Sequence, residues 1–386
     1  MLSLNKSLGL AFFLLFLWSC DTPEQRAEQP ISLAADTTFH QTNIRYAKQF
    51  KVAYADGYKI VEVLQPFPGA EKSQRYLLLP HGMEKPEGIE ADAVVRIPVD
   101  DMVMFSTTHI PSLDLLGASE VLTGFPTTDH ISSEKMRERI EAGEVQDLGA
   151  SNGLNIEKLM ALSPDVVMAY GMGPQDKSLR SLQRTDIPVV LNADFLEQSP
   201  LGRAEWLKFT ALFLNKEEEA DSVFNRIVQR YDSLRALAAT AEVQPEIFTG
   251  LVYNGTWFMP GGDSWAARFF EDAGGDFLWS DTEESGSLQL SFESVFNKAH
   301  DADFWIGTAN YESLEGLKKA DSRYSHFDAW QEGNVYTYTA RTGAKGGNEY
   351  MELGYSRPDI VLADLIKILH PDLLPDYELY FYEKLE

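Results

Sequence analysis

Only one cysteine, Cys20, occurs in 386 residues, so no disulfide can form within the chain. Positive charge is also scarce: 33 Lys and Arg stand against 59 Asp and Glu, a formal net charge of −26. Nucleic-acid binding needs a basic face that displaces counterions, so no nucleic-acid partner is expected. The acidic excess makes a soluble, self-repelling surface, and the chain is expected to act as a monomer. The seven histidines (His40, His81, His109, His130, His300, His326 and His370) include no pair three or four apart. With no second cysteine either, no metal site is expected. H-E-x-x-H, G-x-S-x-G and P-loop signatures are missing, and Gly171-Met172-Gly173 lacks the third glycine of a dinucleotide fingerprint. No catalytic residue and no resident cofactor follow from the sequence, and the chain reads as a non-enzyme.

No apolar run is long enough to span a bilayer, which takes roughly 20 residues. Leu8 to Trp18, preceded by Lys6, suits the core of a signal peptide over 1–20. It ends in Leu17-Trp18-Ser19-Cys20, which resembles the lipobox of bacterial lipoproteins. A lipidated Cys20 becomes the mature N-terminus. Two acyl chains then make a stable anchor, and the polar segment 21–45 reads as a tether.

The rest reads as two α/β lobes joined by helices. FKVAYADGYKIVEVLQPF (50–67) alternates apolar and polar residues around Ala55-Asp56-Gly57, a hairpin signal, and RYLLLP adds a third strand. The first lobe, 46–200, carries this extra hairpin region, 46–80. Its further strands are VVRIPV, MVMFST, VLTGFP, DVVMAY and IPVVLNA, alternating with helical segments in the manner of a mostly parallel sheet. Residues 201–240 are helical almost throughout, with Asn215 placed to cap a helix over 216–239. At 1.5 Å per residue that helix is a strut of roughly 36 Å. The second lobe, 241–386, resumes the alternation with EIFTGLVYNG, ADFWIGT and NVYTYTA and ends on a helix that starts at Pro358.

Open α/β sheets bind ligands at the carboxyl ends of their strands. His109 follows the first-lobe strand MVMFST, and Tyr170 ends DVVMAY. In the second lobe LVYNGTWFMPGG places Tyr253, Trp257 and Phe258 between glycine breaks. Aromatics there are either core or a binding lip. TARTGAKGGNEY adds Arg341 and Lys345 amid glycines. Taken together, these strand ends read as one wide, aromatic, locally basic cleft, with His109, Tyr170, Tyr253, Trp257, Arg341 and Lys345 as ligand contacts.

NIEKLMALSPDVVMAY (155–170), YNGTWFMPGGDSWAARFFEDAGGDFLW (253–279) and YMELGYSRPDIVLADLIKILHP (350–371) resemble, in order and spacing, segments of the periplasmic binding proteins for ferric siderophores, haem and cobalamin. The resemblance covers roughly 92–375 and leaves 46–80 without a role. It implies two Rossmann-like lobes joined by a long rigid helix, with the ligand cleft between them. It also implies a substrate-binding lipoprotein in the periplasm that delivers a metal chelate to an ABC permease and its ATPase. A carboxylate on each lobe docks on the permease in that family, and these carry over to Glu157 and Glu271. Two cations among many aromatics favour cobalamin or a weakly charged siderophore. An envelope enzyme using His109 as acid or base, or a binding-only sensor, are the alternative classes.

Overall fold

The structure, a computed structural model, describes residues 39–150, 153–308 and 310–386. The signal segment, Cys20 and most of the expected tether lie outside the described residues. The tether's last residues are pinned in place. The side chains of His40 and Thr42 bond Asp221 at 2.8 and 2.7 Å. The buried Glu205 carboxylate accepts the N–H groups of Arg45, Tyr46 and Ala47, and Glu197 accepts those of Lys48 and Gln49. Two buried anions thus satisfy five consecutive backbone donors of the entering chain.

The first lobe holds a five-stranded parallel sheet in the order Gln146–Asp147, Leu122–Phe125, Met102–Met104, Val166–Ala169, Val189–Leu191. Its central strands Met102–Met104 and Val166–Ala169 are buried throughout, as strands covered on both faces must be. Ala93–Ile97, expected among them, belongs instead to a separate four-stranded sheet with Phe50–Ala55, Tyr58–Val63 and Gln74–Pro80. Asp56 and Gly57, both at positive φ (46° and 84°), make the two-residue turn of its hairpin. This small sheet shields the edge of the large one, since the Tyr76 hydroxyl accepts the Leu191 N–H at 2.8 Å.

Three helices, Pro200–Ala204, Trp206–Leu214 and Glu217–Ala238, connect the lobes. Asn215 does not cap the start of the last. It is the left-handed C-cap (φ 55°) of the helix before it, a conformation asparagine tolerates. The strut's 22 residues run about 33 Å. Its first turn is fixed by an ion pair between fully buried Lys59 of the small sheet and Glu217; Lys59 also donates to Leu212 O and Asn215 Oδ1.

The second lobe's sheet runs Asp276–Phe277, Glu246–Phe248, Phe304–Ile306, Val335–Thr337 in parallel, with Glu383–Lys384 antiparallel at one edge. EIFTGLVYNG is two strands rather than one. The chain breaks at Gly250, at φ 87°, where a Cβ would collide with the Phe258 carbonyl. Beyond it Leu251–Tyr253 and Thr256–Pro260 form a hairpin that pairs with Ser287–Leu290. Among the described residues no helix is long and apolar enough to cross a membrane.

The interlobe site

The hairpin decides the fate of the aromatic segment. Side chains alternate across a strand, and directly opposed residues share a face. Val252 opposes Trp257, while Leu251 opposes Phe258 and Tyr253 opposes Thr256. Trp257 therefore points inward. It is 0% exposed, packs against Phe248, Phe292, Trp305, Tyr324 and Phe327, and donates its Nε1–H to Thr249 O at 3.0 Å. The expectation that Trp257 contacts ligand is corrected: it is core. Tyr253 is 69% exposed and stands edge-on to half-buried Phe258, with ring centroids 6.4 Å apart. Phe258 stands on the same face of the hairpin as Tyr253, since its strand partner Leu251 lies two residues from Tyr253.

In the first lobe, Tyr170 is half-buried at the end of its strand and meets Phe195 of the next strand end edge-to-face at 6.5 Å. Each lobe thus carries aromatic pairing beyond its sheet's carboxyl end. His109 is not on the surface. It is 1% exposed, neither ring nitrogen has a hydrogen-bond partner, and the second-lobe helix Glu349–Leu353 packs over its turn, Thr107–His109. Burial pushes its pKa down, with Asp194 pulling partly the other way. His109 is part of the seam where the lobes meet.

That seam is built from side chains of both lobes. Glu352 (second lobe) accepts the N–H groups of Ser132 and Ser133 (first lobe) at 2.7 and 2.9 Å, at the start of helix Glu134–Glu141. Burial is the larger influence on this carboxyl and raises its pKa to about 7 despite those two donors. Arg203 is clamped 4.3 Å from the Trp265 ring and 4.4 Å from the Tyr355 ring. Gly347 lies so close to the His130 carbonyl that no side chain fits there. Few large rearrangements are open to lobes joined this way.

A cavity of about 870 Å³ opens along the flank of the seam. Pro111, Leu115, Ser132 and the helix Glu134–Glu141 line it from the first lobe, and Ala340 to Ala344, Leu353 and Tyr380 from the second. That volume lies in the range of small-molecule sites, about 300–1,000 Å³. Arg341, expected as a ligand cation, borders it but is engaged: its Nε donates to Glu349 at 2.8 Å, and its guanidinium sits 4.4 Å over the Tyr380 ring. Lys345 is exposed at the tip of the same loop.

The matches to known proteins follow this geometry. A model of the periplasmic binding protein family matches residues 103–342. The chain belongs to that family. An uncharacterised lipoprotein of Methanocaldococcus jannaschii is 26% identical over 302 residues, 75% of this chain and 70% of the relative. A vitamin B12-binding protein of Pectobacterium carotovorum is 28% identical over 96 residues, 25% of this chain and 33% of that protein. The crystal structure of a periplasmic haem-binding protein from Pseudomonas aeruginosa superposes with a TM-score of 0.55 at 17% identity, over 75% of this chain and 98% of its own.

In this periplasmic binding protein the small sheet, residues 50–97, precedes the matched region entirely. Glu157 is exposed in the first turn of helix Ile156–Leu162. Glu271 is exposed near the end of helix Trp265–Asp272, paired with Arg268 at 2.6 Å. Neither borders the cavity. Among the described residues no group of three or more His, Cys, Asp or Glu is placed to hold a metal ion.

Proposed function

We propose that this periplasmic binding protein captures a metal chelate of the ferric siderophore, haem or cobalamin type between its lobes. It delivers the chelate to an ABC permease and its ATPase while anchored to a membrane through lipidated Cys20. The observation that carries this reading is the cavity shared by two lobes held in fixed relation by the strut and by the seam contacts of Glu352 and Arg203. A ligand bound across such a seam is presented on a rigid body, which suits recognition by a partner. Exposed Glu157 and Glu271, one on each lobe, supply anionic docking points for permease cations.

His109 offers little to an enzymatic reading, since its ring is sealed and makes no hydrogen bond through which to relay a proton. Native mass spectrometry and absorbance of protein purified from its own host test the proposal. A bound chelate should appear as added mass and a visible band. Protein that carries none and binds no added chelate would overturn it.

A further inference from the structure

Buried polar atoms without a partner gather where the first lobe meets one segment of the second. Both ring nitrogens of His109, the Ser132 hydroxyl and the Arg137 Nε–H are unmet, and none of the three residues is more than 8% exposed. His109 lies under the second-lobe helix Glu349–Leu353. Ser132 lies under the turn before that helix, since a Cβ placed on Gly343 would come within 3.1 Å of the Ser132 Cβ. Arg137 stands on the helix whose start Glu352 caps. Most buried polar groups are satisfied, and leaving one unmet is costly. A contact made with so many unmet groups is one that opens locally before the fold does.

The covering segment is built to move as one piece. The Gly343 N–H donates to Gly347 O at 2.7 Å and the Glu349 N–H to Arg341 O at 3.2 Å, which closes the turn on itself before the helix begins. Among the described residues, its only hydrogen bonds to the first lobe are those that Glu352 accepts from Ser132 and Ser133. On its other side Tyr350 stacks on Tyr338 of its own lobe at 4.8 Å and gives the helix a pivot. The strut and the Arg203 clamp hold the lobes themselves. We infer that residues 341–353 form a lid, latched by Glu352, that rocks about Tyr350 and uncovers the first-lobe strand ends while the lobes stay fixed. With the lid raised, water satisfies His109, Ser132 and Arg137, which offsets the loss of the Glu352 contacts. Its use as a gate for ligand rests on the chelate-binding reading above; the motion itself does not.

Diethyl pyrocarbonate acylates an accessible neutral imidazole and reads the motion without any ligand. In the intact native protein His109 should label slowly, with exposed His300 as the internal reference. Cys20 is the only native cysteine, so Gly343→Cys with Ser132→Cys in a Cys20→Ala background leaves one possible disulfide. The 3.1 Å spacing falls just short of the usual Cβ separation of about 3.5–4.5 Å, a gap that a small shift of the turn closes. Oxidation of the pair should slow His109 labelling by about tenfold or more, and reductant should restore it. A His109 that stays unlabelled until global unfolding, or that labels equally in the oxidised and reduced pair, would overturn the lid. Cyanocobalamin, haem and ferrioxamine B then test the gate: whichever binds should enter the oxidised pair about tenfold more slowly than the reduced one. Equal entry would overturn gating. Failure of all three to bind would overturn the chelate reading, while the His109 labelling still decides the lid.

Discussion

At the scale of single residues, burial separates two aromatics that share one short segment. Removing Trp257 empties a site walled by five aromatic rings and leaves the Thr249 carbonyl without its donor. Such truncations cost about 3–5 kcal/mol. Trp257→Ala is therefore expected to lower stability by that amount in chemical denaturation, and Tyr253→Ala by less than about 0.5 kcal/mol. Tyr253 does not border the interlobe cavity, so its loss should also keep chelate affinity within about twofold. A stable Trp257→Ala protein would return that ring to the surface. The glycine breaks around this stretch are plain in the sequence, and so is its alternation. What the sequence does not declare is which alternate face meets the core, because aromatics stand on both. Likewise His109 reads as a strand-end ligand because nothing local records that helix Glu349–Leu353, 240 positions on, covers it.

Elements were legible where they are long and periodic, and illegible where partners are distant. The strut and the Pro358 helix are written in their apolar spacing, and the expected strut bounds miss by one residue at each end. Strand Ala93–Ile97 has the apolar run of a lobe strand, and only its pairing with Gln74–Pro80 assigns it to the small sheet. The cap that Glu352 places on helix Glu134–Glu141 is likewise invisible, since its partners lie 220 and 219 residues away. This cap makes a pH prediction. The Glu352 carboxyl rises from 4.5 to about 7 in the folded protein. A raised pKa means the folded state binds a proton that the unfolded state releases. The associated stability is complete below about pH 4.5 and is lost as pH rises through about 7. Each tenfold gain in proton affinity is worth roughly 1.4 kcal/mol, so the whole contribution is about 3 kcal/mol. Glu352→Gln cannot ionise, though its amide nitrogen can no longer accept one of the two serine N–H groups, so the stability difference between variant and wild type should shift in the variant's favour by about 3 kcal/mol between pH 4.5 and pH 8. Parallel stability curves across that window, measured by denaturant titration, would remove Glu352 from this role.

For the whole molecule, the two-lobed plan was readable from alternation and motif order, while the cavity was not, because it is made by surfaces that meet only in the folded chain. Anchoring and delivery belong to this scale. Cys20→Ala should move the protein from the membrane fraction to the soluble one; unchanged partitioning would refute a lipid anchor. Delivery is tested through charges that stand clear of the ligand. Glu157 and Glu271 lie on different lobes, both exposed and both off the cavity wall. Charge pairs across interfaces contribute about 1.5–7 kcal/mol in double-mutant cycles, so reversing a docking charge should be felt strongly. Glu157→Arg and Glu271→Arg should each keep chelate affinity within about twofold, a change of less than about 0.5 kcal/mol. Each should lower uptake by cells, and the double variant should abolish it. Glu271 begins from a pair with Arg268, so its reversal also sets two cations side by side. Arg268→Ala, which frees the Glu271 carboxylate without changing its sign, should therefore preserve or raise uptake. Normal uptake in the double variant would refute docking through these residues, and weakened chelate binding in either single variant would place that residue at the ligand instead.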